Sequence, residues 1–189
     1  MKARSEFWGD NYLAAQQSDS LAVPFEKHMD LFKGKRVLEV GPGEGRQFDA
    51  VVNLADEYSV ADISAKVLDH YLCAHKFLIK NYDDRFDQQF DLIHFWYVLH
   101  HVKRDELNLF FKFLSDHLTR TGSILFNTPQ LDPDRNDYGG DGIQTTWLDL
   151  EDIQGALDQN FIIMDIENIN RNATGWVIWA GKRIKFREV

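Results

Sequence analysis

The stretch "VLEVGPGEGR", residues 37 to 46, sets Gly41, Gly43 and Gly45 in alternation directly behind a short apolar run. Glycine costs conformational entropy wherever a side chain would serve, so three in alternation mark a place where something must approach the backbone closely. Inside the run stands Glu39, and an acid buried in an apolar strand is costly unless it is partnered. About 20 residues beyond the turn, Asp62 closes the run "YSVAD", where a carboxylate at the end of a second strand can accept hydrogen bonds from both hydroxyls of a ribose. The same side chain can equally cap the helix that follows in "ISAKVL". His100 and His101 offer imidazoles that titrate in the range useful to a general base, with packing as the competing role for each.

The pattern also excludes. A dinucleotide fingerprint requires glycine where this chain has Arg46, and no G-x-x-x-x-G-K-[ST] occurs. A glycine turn with a downstream carboxylate and no pyrophosphate signature points to a nucleoside. Phe95, Trp96 and Tyr97 leave the run "FDLIHFWY" toward the same end of the fold. Aromatic faces there favour a positively charged ligand, and the hydrophobic core is the alternative for each of the three.

The elements that must carry these residues follow from periodicity. "KRVLEV" reads as a strand buried on both sides, and "RQFDAVVNLADEY" then places Phe48, Val51, Val52 and Ala55 at helical spacing. "YSVAD" is a second strand, with Ser64 as cap of a helix that buries Val67, Leu68, Tyr71 and Leu72. "KFLIKN" and "FDLIHFWY" are the third and fourth strands. "RDELNLFFKFLSDHLTRTG" is a helix with Leu107, Phe110, Phe111, Leu114 and Leu118 on one face and Gly122 at its stop, and "SILFNTP" is the fifth strand. Strand and helix in alternation imply right-handed crossovers and a mostly parallel sheet covered on both faces. "WLDLEDIQGALDQN" reads as a further helix, and "FIIMDIENI" and "WVIWAGKRI" lie too close in the chain to be parallel neighbours, so they pair antiparallel.

A chain of 189 residues holds one sizeable core. Residues 1–34, with "SLAVPFEKHMDLFKG" as a helix stopped by Gly34, join the same domain as 35–189. Trp8 and Tyr12, four apart in that segment, serve either as a lid or to dock it on the sheet. A formal charge of -9, from 30 acidic against 21 basic side chains, argues against nucleic acid as a partner. Cys73, the single cysteine, allows no intramolecular disulfide. With no signal-like or membrane-length apolar stretch, the expectation is a soluble cytoplasmic protein that does not engage a membrane. The acidic stretch "DPDRND" in the loop at 129 to 146 is read as solvated, so no metal is expected.

"VLEVGPGEG", "ADIS", "FDLIHFWYVLHHV" and "TRTGSILFNTP", in this order, resemble the class I methyltransferases that use S-adenosylmethionine, most closely the small single-domain members acting on metabolites. The resemblance implies a Rossmann-like, doubly wound fold: a mostly parallel seven-stranded sheet, an antiparallel C-terminal strand, and helices on both faces. It implies that Gly41, Pro42, Gly43 and Gly45 cradle the methionine part, that Glu39 helps hold its amino group, that Asp62 takes the ribose hydroxyls and that Ile63 packs on the adenine. An acid after the third strand meets the adenine amino group, for which "NYDDRF" offers Asp83 or, preferred, Asp84. Phe95 would lie by the cofactor, with Trp8, Tyr12, Trp96 and Tyr97 toward the acceptor. The implied reaction moves a methyl group to O or N of a small molecule such as a sugar, leaving S-adenosylhomocysteine. The alternative is a subunit that binds the cofactor without turning it over.

Overall fold

Val37, Leu38, Glu39 and Val40 are all buried in β1, Arg36–Val40, as a strand covered on both faces requires. The computed structural model describes residues 25–45, 47–73, 75–129, 146, 148–171 and 173–184. Trp8, Tyr12 and nearly all of the loop at 129 to 146 lie outside them. The other strands are β2 (Glu57–Asp62), β3 (His75–Leu78), β4 (Phe90–Phe95), β5 (Leu118–Pro129), β6 (Phe161–Arg171) and β7 (Ala173–Lys182). They form one sheet in the order β3-β2-β1-β4-β5-β7-β6. Pairs β1–β2, β1–β4, β2–β3 and β4–β5 are parallel, while β7 runs against both β5 and β6. This is the Rossmann-like sheet the sequence implied, with β7 alone reversed because a single residue separates it from β6.

The chain order turns back between β1 and β4, since β1 leads outward to β2 and β4 returns to its other side. Such a point opens a crevice at the carboxyl ends of the strands. On one face, α3 (Leu107–His117) and α4 (Leu150–Leu157) cover Leu38, Ile93, Phe95 and Phe126. On the other lie the 3-10 helix Phe25–Phe32 and two one-turn helices, α1 (Phe48–Val51) and α2 (Ala65–Leu68), against Val37, Tyr58, Val60 and Leu92. Asp149 caps α4 through a reciprocal box: its Oδ1 accepts the Asp152 N–H at 2.8 Å and Asp152 Oδ2 accepts the Asp149 N–H at 3.2 Å.

Several boundaries differ from the sequence reading. α3 ends at His117, short of Gly122: the Phe86 N–H donates to His117 Nε2 at 3.0 Å, so Nδ1 carries the proton and donates to Phe113 O at 2.8 Å. Leu118 pairs with Phe90, four residues bulge, and regular pairing resumes at Ser123 with Leu92. Gly122 sits in that bulge, where a Cβ would lie 3.0 Å from Phe90 O. α1 stops early because Asp56 and Glu57 turn their N–H groups onto Lys35 O, which starts β2. β3 ends at Leu78 because Asp84 Oδ2 captures the N–H groups of Lys80, at 2.6 Å, and Asn81, at 3.1 Å. Gly34 does stop the first helical segment, at φ +63°. Among the described residues no helix is long and apolar enough to cross a membrane.

Phe95 faces α3, fully buried at 0% exposure, stacked on Phe126 with ring centroids 4.7 Å apart and edge-on to Phe110 at 5.3 Å. Strand alternation sends it into the core, the alternative that the sequence left open for it. Phe95→Ala lowers unfolding stability by about 3–5 kcal/mol in urea titration, the range for emptying a buried aromatic site.

Candidate active site

At the end of β1 the chain turns at once, with φ of +67° at Gly41, +56° at Gly43 and +87° at Gly45. Residues with a Cβ are strained there. At Gly41 space makes a second demand, because a Cβ would fall 2.5 Å from Val98 Cγ2. Around Gly43 nothing among the described residues lies within 4 Å of the same position, so this is the side on which a ligand can rest against backbone. Tyr71 pins the turn from behind. Its hydroxyl donates toward Gly43 O at 2.8 Å and Pro42 O at 3.1 Å, and Pro42 O also takes the Gly45 N–H at 2.9 Å.

Beneath the turn, Glu39 is 1% exposed. The Tyr58 hydroxyl donates to its Oε2 at 2.9 Å, Tyr58 Oη lies 2.6 Å from His94 Nε2, and Trp96 Nε1 lies 2.9 Å from His94 Nδ1. The donor inventory orients this chain. An indole nitrogen only donates, so His94 Nδ1 accepts and Nε2 carries the proton of the neutral ring. Nε2–H therefore donates to Tyr58 Oη, and the Tyr58 proton is directed at Glu39. Burial holds His94 down to about 3, so the ring is neutral. Burial pushes Glu39 up to about 8, against a smaller lowering by the Tyr58 hydrogen bond. Phe32 stands edge-on to His94 at 5.0 Å and Phe25 edge-on to Trp96 at 5.1 Å. Trp96 is thus buried beneath Phe25, its N–H committed to His94.

Asp62 ends β2 beside this turn, since the Gly41 N–H extends the ladder to Ala61 O at 2.8 Å. Its Oδ1 accepts the Ser64 N–H at 2.7 Å, so Asp62 shapes the entry to α2. Ser64 holds the cap position with no bond from its own side chain. Burial raises the Asp62 carboxyl to about 6, the hydrogen bonds from Ser64 and Ile63 opposing. Ile63 is half-buried and packs against the α3 face. Asp84 is committed to the turn after β3, as described above. Asp83 is exposed there, its N–H on Asn81 Oδ1 at 2.8 Å.

His100 and His101 lie in the 3-10 turn Leu99–His101 with ring centroids 3.9 Å apart. Burial first, and the neighbouring His101 second, hold His100 well below the ordinary imidazole range. Such a ring stays neutral, and the cation that a base must become is disfavoured. Tyr97 is half-buried just past β4, and its N–H donates to Asn127 Oδ1 at 2.7 Å. Among the described residues no three potential metal ligands cluster. The sequence reading missed Tyr58, Tyr71 and Asn127. The signal for Asn127 was a polar residue inside the apolar run "SILFNTP"; neither tyrosine carried one, because each fits a buried stripe.

Residues 12–173 match the family model described as a methyltransferase domain. The chain belongs to this methyltransferase family. A comparison with curated proteins finds no match. Among solved structures, the methyltransferase resembles Burkholderia thailandensis 1,6-didemethyltoxoflavin-N1-methyltransferase, bound to 1,6-didemethyltoxoflavin and S-adenosylhomocysteine, with a TM-score of 0.73 at 17% identity over 95% of this chain and 87% of that one. It resembles a DhpI complex with SAM and HEP at a TM-score of 0.72 and 16% identity, over 97% of each chain. A third likeness is magnesium protoporphyrin IX methyltransferase from Synechocystis PCC 6803 with bound SAH, at 0.69 and 14% identity over 96% and 99%. At these identities the shared property is the fold.

A buried acid whose folded pKa exceeds its unfolded value, near 4.3, loses stability for the fold as pH rises between the two. Glu39→Gln therefore melts with the wild type near pH 4 and increasingly above it toward pH 8. Thermal unfolding across that range checks the sign.

Proposed function

We propose that this methyltransferase binds S-adenosylmethionine in the crevice over Gly43 and transfers its methyl group to O or N of a small acceptor, a sugar or another metabolite. The observation that carries the reading is the open backbone at Gly43 lying between the buried acids at the ends of β1 and β2. In the solved structures named above, the proteins hold S-adenosylmethionine or S-adenosylhomocysteine in the same fold. When bound, the cofactor supplies an activated methyl group with its own leaving group.

The chain's residues then bind, orient and exclude water. Asp62 takes ribose hydroxyls while its Ser64 bond fixes its rotamer. Glu39, backed by Tyr58 and His94, answers the positive charge of the amino-acid end. Ile63 covers the adenine, and Asp84 shapes the turn after β3 in place of an adenine contact. Tyr97 faces the acceptor. Rate comes from orientation and dryness more than from proton transfer, consistent with a His100 held well below the ordinary imidazole range. We assign no general base to His100; the role stays with His101 for a hydroxyl acceptor and is dispensable for an amine.

The test is calorimetric titration with S-adenosylhomocysteine, followed by mass detection of methyl transfer from S-adenosylmethionine into a metabolite extract of the native host. Binding with turnover is expected; binding with no acceptor methylated favours the non-catalytic subunit, and no binding removes both readings. Asp62→Asn weakens S-adenosylhomocysteine roughly 10- to 100-fold, the cost of a hydrogen bond to a charged group. Both acids are raised by burial, and their ionised forms are the better partners, Asp62 for the ribose hydroxyls and Glu39 for the ammonium group of the amino-acid end. Affinity accordingly rises from pH 5 to pH 8, and Glu39→Gln flattens the upper part of that rise.

A further inference from the structure

Along β4 the side chains alternate, with Leu92, His94 and Trp96 on the face of the Phe25–Phe32 segment and Ile93 and Phe95 on the α3 face. Tyr97 breaks the alternation. It takes φ +56°, among the described residues the single non-glycine to do so, and packs with the same cluster as Trp96. Two successive residues cannot share a face in an extended strand, so the left-handed residue is what places Tyr97 there. The same reversal brings Val98 against the glycine turn, its Cγ2 2.5 Å from where a Gly41 Cβ would stand. The chain then closes with the His101 N–H on Val98 O at 2.9 Å.

A non-glycine residue in that region persists only where its surroundings over-determine it. Here the holding contact is Asn127. The β4–β5 register pairs Phe95 with Phe126, which sets Asn127 next to Trp96 as the β4 ladder ends. Asn127 is 1% exposed, and its Oδ1 accepts the Tyr97 N–H at 2.7 Å.

We propose that Asn127 is a positioning residue for the cofactor cradle, acting through the Tyr97 backbone and the Val98 side chain on Gly41. The inference rests on the cofactor reading above, for which it supplies a residue that touches neither cofactor nor acceptor. Without the Asn127 oxygen, Tyr97 relaxes to negative φ, Val98 withdraws and the first glycine loses the wall that sets its turn.

The experiment compares wild type, Asn127→Leu, Tyr97→Gly and the double variant by titration with S-adenosylhomocysteine and by thermal melting. Asn127→Leu weakens S-adenosylhomocysteine about tenfold, the scale of one buried hydrogen bond lost, and lowers the melting temperature. Tyr97→Gly takes the conformation without a clamp, so adding Asn127→Leu to it costs little further affinity, while both proteins melt lower for the packing the Tyr97 ring loses beside Trp96. The double variant recovers most of the affinity lost in Asn127→Leu, which simple damage to packing would not allow. Wild-type affinity in Asn127→Leu, or a double variant as weak as Asn127→Leu, overturns the proposal. If Asn127→Leu fails to fold, folding of the double variant is the expected recovery and its failure to fold overturns the clamp. A wild type that does not bind S-adenosylhomocysteine sinks the cofactor reading instead, and the melting temperatures of the four proteins still decide whether Asn127 holds Tyr97.

Discussion

A carboxyl group buried at the centre of a parallel sheet has to be satisfied before the strands can close over it. Glu39 is that group, on the strand from which the sheet is wound in both directions. Water cannot reach it, so its partner has to come from the neighbouring strands. Tyr58 on β2 provides the hydroxyl, His94 on β4 holds the hydroxyl, and Trp96 fixes the tautomer of the histidine. Three adjacent strands are thereby tied together on one face by hydrogen bonds whose direction the donor-only indole dictates.

The glycine turn stands on this support. Its conformation is one that only glycine adopts without strain, and it is held from behind by Tyr71 and from the side by Val98. Two further strained or costly features converge there: the left-handed Tyr97 and the two acids raised by burial. Each lowers the stability of the empty fold. They are concentrated at the carboxyl ends of β1, β2 and β4, where the proposed cofactor site lies.

Much of the frame was legible in residue order. Buried runs gave the strands, the short connection before "WVIWAGKRI" gave the reversed β7, and three alternating glycines gave the turn. Where the reading went astray, a single polar contact had intervened. His117 ended α3 by bonding back to Phe113 and across to Phe86; Asp84 ended β3 by capturing two N–H groups. Phe95, Trp96 and Tyr97 were indistinguishable as three aromatics in a row. Alternation sends Phe95 into the core, a histidine two residues earlier draws in the Trp96 indole, and a reversed φ turns half-buried Tyr97 onto the cluster that holds Trp96.

By itself the sequence determined the class of fold, the glycine turn behind β1 and the burial of Glu39 within that strand, because burial periodicity and glycine's backbone freedom are local properties that residue type expresses directly. Only the tertiary structure decided which polar groups answer that acid. Tyr58 and Glu39 stand 19 residues apart, and Tyr58 and His94 stand 36 apart. Hydrogen-bond partnership depends on strand register and donor direction, and neither is written at the positions that take part.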